Sequence, residues 1–190
     1  MFSPEMTQAV NTAQTCLNAC NNEENILLVA VNDIKLFCEY IDELDPSDIK
    51  FEKDNFFNNM IIKSYWSKFT EYYSAIEILM NKMKSDKNII SNTIGTLNRI
   101  TNDYNAVFDE FEKVENQDSD YLQQLIVAKN MKILLENTIA EYKTLDQKLD
   151  LIINISGQVF NMAISLIEST MKNSANSYKN RYAELRKAIV

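Results

Sequence analysis

The chain has 190 residues and a net charge of −8, from 27 acidic and 19 basic side chains. Eleven of the acids fall within the first sixty residues against three bases, and only the last twenty residues are net basic. Nucleic-acid binding needs clustered Lys and Arg, which this distribution does not supply. There is no histidine, so the usual general base, the usual transition-metal ligand and the usual partner of a Ser or Cys nucleophile are missing. With glycine only at Gly95 and Gly157, no phosphate-cradling loop can be built. The composition therefore predicts no enzyme, no cofactor and no metal site.

Two glycines and two prolines leave few turns, which predicts long helices. No apolar run reaches the ~18–20 residues of a spanning helix, and no basic segment followed by an apolar run marks a cleaved signal peptide. Cys16, Cys20 and Cys38 form an odd set and read as small buried hydrophobes in a reducing compartment. A cytoplasmic location is expected, with secretion that needs no signal left open.

Ser3-Pro4-Glu5 opens the first helix: Ser caps it, Pro takes the first turn and Glu sits at the positive end. An apolar stripe follows through Met6, Val10, Ala13, Leu17, Cys20, Leu27, Val31, Ile34, Cys38 and Ile41. Its phase holds across Asn21 to Asn25, which predicts one helix to about Leu44, with a break at Asn21–Asn25 as the alternative. Ile26, Leu27, Leu28 and Val31 lie in a segment that is apolar on all faces and suits deep burial or a partner's groove. Asp45-Pro46-Ser47-Asp48 stops the helix and caps the next.

The second stripe runs from Ile62 to Phe111 at alternating steps of four and three, through Trp66, Phe69, Tyr73, Ile76, Met80, Met83, Ile90, Ile94, Leu97, Tyr104 and Phe108, with Lys87 and Thr101 at the two interrupted steps. Lys87 interrupts it beside Ser85 and Asp86, both good caps, so a turn near Ser85 is expected. Such a turn would bring the acid clusters at 39–48 and 109–120 to one pole. Asn116 to Asp120 is the next boundary, with Asp118 or Ser119 as cap. The aromatics Tyr65, Trp66 and Phe69 read as core, or as an interface where they are exposed.

The last third carries Leu135, Ile139, Tyr142, Leu149, Ile153, Phe160 and Ile167, with kinks expected at Gly157 and at 173–177. Between Asp150 and Glu168 there is no charge. Asn154, Gln158, Asn161 and Ser165 form one narrow polar stripe there, and Phe160 lies on the apolar remainder. This reads as a central bundle helix with a strip reaching solvent, or as a membrane or assembly segment. The tail bases, Lys172, Lys179, Arg181, Arg186 and Lys187, suit a last helical turn. An acidic partner, or the acidic first helix of the same chain, is the other reading.

The expected fold is all-α, a single domain over 1–190 in the form of an elongated antiparallel bundle of four to five long helices. Three very long helices are the alternative. The expected function is non-enzymatic: a helical protein–protein interaction module of the inhibitor, immunity or secretion/assembly partner type, whose mate is another protein or a copy of itself. The alternative is a membrane-active component, because the layout of long helices resembles the α-helical pore-forming toxins and, more weakly, the three-helix BAR modules.

Overall fold

In the computed structural model the described residues form five α-helices: α1 (Pro4–Cys20), α2 (Ile26–Glu43), α3 (Phe56–Glu112), α4 (Ser119–Ser169) and α5 (Lys172–Ile189). The structure describes residues 2–21, 25–45, 56–114, 118–169 and 172–189, with side chains except at 56–63, 66, 162–169, 172–178 and 189. No strand occurs among the described residues. The fold is an all-α bundle dominated by α3 and α4.

Local chemistry sets the first boundaries. The Ser3 hydroxyl accepts from the Met6 N–H at 3.1 Å, and Pro4 takes the first helical position. The single helix expected from Pro4 to Leu44 is corrected: α1 stops at Cys20 and α2 starts at Ile26. The Asn21 N–H closes α1 on Leu17 and Asn18 carbonyls, while Asn25 opens α2 by accepting from the Leu27 N–H at 2.9 Å. The Asn25 side chain thus caps the first turn of α2, a role short amide side chains take readily.

The turn expected at Ser85 is also corrected. α3 runs unbroken through Ser85, Asp86 and Lys87 for 57 residues, so the two acid clusters do not share a pole by way of a turn there. Ser85 is exposed, but Asp86 points inward with 5% exposure. The polar patch is thus a buried polar station within a helix rather than a cap. Gly157 likewise lies inside α4 without ending it, and residues 173–177 lie inside α5. The acidic stop at Asp45–Asp48 falls outside the described residues beyond Asp45, whereas the boundary before Ser119 stands, with the Asp118 carbonyl accepting from the Leu122 N–H.

The chain groups into two compact units, and α2, α3 and α4 each contribute to both. The first unit comprises Met1–Val29 and Asn88–Asp146. In it α1 runs antiparallel to α3, with Phe2 against Phe111 (5.5 Å) at one end and Cys16 facing Thr93 across a groove at the other. α3 runs antiparallel to α4: Ser91 bonds Asp146 at 2.7 Å, Tyr104 donates to the Ala128 carbonyl at 2.8 Å, and Glu112 pairs with Lys129 at 2.8 Å. Met6, Ala13, Leu17, Ile90, Leu97, Tyr104, Leu135 and Tyr142 fill its core.

The second unit comprises Ala30–Lys87 and Gln147–Val190. Phe69 is fully buried, with its ring 5.5 Å from Tyr73 and 6.0 Å from Phe160. Phe37, Ile41, Leu44, Ile76, Met83, Leu149, Ile152 and Leu185 complete this core. α5 docks on the acidic end of α2, where Arg186 pairs with Asp42 and the Tyr182 hydroxyl donates to the Ile41 carbonyl. The chain's own acidic helix therefore takes part of the basic tail.

Candidate interaction surface

α4 shows why its two sides differ. Ala128, Leu135, Tyr142, Leu149 and Ser156 are buried at every seventh position, and Met131, Leu145, Ile152 and Val159 follow three residues later. This is a coiled-coil seam, which needs only one side of the helix. Yet between Asp120 and Glu136 the opposite side is apolar too. Leu122, Ile126, Val127, Ile133 and Leu134 are 47–60% exposed in the first unit. Large apolar side chains gathered in water mark a binding site far more often than scattered single ones do.

The exposed face has an internal order. Gln123, Asn130 and Asn137 fall seven residues apart and are exposed, so they run along the middle of the face. Ile126 and Ile133 flank this amide line on one side, and Val127 and Leu134 on the other. The two charges in the stretch turn elsewhere: Lys129 pairs with Glu112, and Lys132 lies over the Phe108 ring at 5.3 Å. What is left is an apolar and amide surface without a charge of its own.

The residues singled out from the sequence take different places. Leu28 (58% exposed) and Val31 (37%) do reach solvent, while Ile26 and Leu27 are half-buried. Tyr65 is half-buried with its hydroxyl donating to the Leu44 carbonyl at 2.8 Å, Phe69 is core, and the Trp66 side chain lies outside the described residues. Asn154, Gln158 and Asn161 are exposed together, Phe160 packs inward on Phe69 and Tyr73, and the Ser165 side chain lies outside the described residues. The structure therefore does not gather these residues into one site. Following only the principal stripe of each helix hid the α4 face. The signal that reveals it is the density of Leu, Ile and Val off that stripe between 122 and 134.

Two internal polar features accompany the surface. In the first unit a groove of ≈ 420 Å³ is lined by Cys16, Cys20, Asn25, Asn92, Thr93 and Tyr142, among others. The Tyr142 hydroxyl donates to Asn25 Oδ1 at 3.3 Å, so α4 holds the residue that starts α2. Burial pushes the Cys16 thiol up, and neighbouring Cys20 adds to this, so Cys16 is a poor thiolate nucleophile. Burial likewise raises Cys38. In the second unit Asp33 and Asp86, both 5% exposed, meet beside Lys82, whose Nζ lies 2.7 Å from Asp33 Oδ1. No helix among the described residues is long and apolar enough to cross a membrane. Comparison with protein families, with characterised proteins and with solved structures finds no match.

Proposed function

We propose that this protein is a non-enzymatic helical interaction module that binds a protein partner through the outer face of α4. The observation that carries the reading is the row of five large aliphatic side chains, Leu122 to Leu134, about half exposed on the side of α4 away from its buried seam. Leaving such side chains in water costs roughly 25 cal/mol per Å² of apolar surface, and a partner recovers that free energy. Few competing roles suit the face: it holds no nucleophile and, between Asp120 and Glu136, no carboxylate. Leu28 and Val31 on α2 offer a smaller second contact.

Site-specific photo-crosslinking in the native cell tests this. A photoreactive residue at Ile126 or Ile133 is expected to give discrete protein adducts, and one at Ile78, exposed on α3 away from this face, is not. No adduct from either α4 position would contradict the reading.

A further inference from the structure

We propose that the partner of this face is a second copy of the same chain, with the two α4 helices antiparallel and crossing at Asn130. The inference rests on the interaction reading above and names its occupant. Four of the five exposed aliphatic residues, Ile126, Val127, Ile133 and Leu134, lie symmetrically about position 130. A two-fold axis through Asn130 therefore sets Ile126 against the partner's Leu134, and Val127 against the partner's Ile133. The same axis sets Gln123 against the partner's Asn137, and Asn130 against itself. Across these positions apolar meets apolar and amide meets amide, as a closed, self-complementary interface requires, and Leu122 lies at the rim opposite the partner's Thr138.

Charge agrees with this pairing. Glu136 falls opposite Gln124, so no acid meets an acid, and Lys129 and Lys132 are already held by Glu112 and the Phe108 ring. A polar residue at the centre of an apolar seam selects one register, because any slip buries an unpaired amide. Asn130 stands in that position. Five half-exposed aliphatic side chains make a smaller face than the ~800 Å² per partner of a standard stable interface, so the dimer is expected to exchange with monomer.

Single-cysteine crosslinking reads the arrangement directly. In a chain whose native cysteines are replaced (Cys16→Ser, Cys20→Ala, Cys38→Ala), with helicity checked by circular dichroism, Asn130→Cys is expected to link to itself through a short bis-maleimide. Gln123→Cys and Asn137→Cys are expected to link to each other when mixed, and neither to itself. Self-links at all three positions would mean parallel packing and overturn the proposal. The native chain provides a second measurement: light scattering from 1 to 200 μM is expected to show mass rising from monomer towards dimer, and Ile126→Glu/Leu134→Glu is expected to stay monomeric. A native chain that is monomeric throughout overturns the proposal. If Ile126 still crosslinks a different protein, the interaction reading survives, and if it crosslinks nothing, both fall.

Discussion

Asp33 on α2 and Asp86 on α3 set two buried carboxyl groups side by side, with one lysine, Lys82, to balance them. The Oδ2 atoms of both carboxyls are buried without a hydrogen-bond partner, which makes a second negative charge here costly. Burial, then the hydrogen bond and charge of Asp33, push the Asp86 carboxyl up to about 6, against a smaller opposing pull from Lys82. From α4, Asp150 pairs with Lys87, the residue after Asp86.

A pH dependence follows from this pair. Asp86 titrates higher in the folded chain than in the unfolded one. The stability it lends is therefore complete below about pH 4 and lost as pH rises through about 6. Asp86→Asn keeps a donor towards Asp33 and has nothing to ionise. Urea unfolding at pH 4.5 and pH 8 is expected to show the variant gaining about 1–2 kcal/mol relative to the native chain over that interval. An equal pH response in both chains would show that Asp86 ionises freely.

The continuity of α3 makes a second expectation. Proline inside a helix removes a hydrogen bond and clashes with the preceding turn, so Ser85→Pro is expected to cost about 3 kcal/mol or more. Chemical denaturation measures it, and a loss below about 1 kcal/mol would point to a turn at this position.

Gly157 and Gly95 are helical glycines with nothing within 4 Å of where a Cβ would sit. Each glycine loses extra backbone freedom on folding without gaining a close approach. Gly95→Ala and Gly157→Ala are each expected to raise stability by about 0.5–1 kcal/mol, read as a higher melting temperature. A lower one would reveal a tight contact at that site.

In the first unit, Leu97 is fully buried and Ile89 is 47% exposed. Leu97→Ala is expected to cost about 2–5 kcal/mol in urea unfolding and Ile89→Ala less than about 0.5. Similar losses at the two sites would place the core elsewhere.

Much of this fold was legible in the sequence, because burial follows the seven-residue beat. Phe69, Ile76, Met83, Ile90, Leu97 and Tyr104 are buried at every seventh position of α3. The errors came from polar residues whose role depends on a partner far away in sequence. Ser85 and Asp86 have the chemistry of a cap, yet Asp86 has Asp33 to meet, and the unbroken phase across them was the better guide. Between α1 and α2 the reverse held: Cys20, Leu27 and Ile34 keep the seven-residue count by coincidence, and the asparagines around it carry the boundary. The α4 face was missed because an apolar residue off the main stripe reads as noise until solvent exposure shows several of them together.

Whether α4 works with both of its sides is tested most directly by Ile126→Gln/Ile133→Gln, with urea unfolding and association measured on the same sample. If the outer face serves binding, unfolding free energy stays within about 0.5 kcal/mol of the native chain while concentration-dependent mass and crosslinking are lost. Unfolding weakened by the 2–5 kcal/mol of a core substitution, with association unchanged, would contradict that.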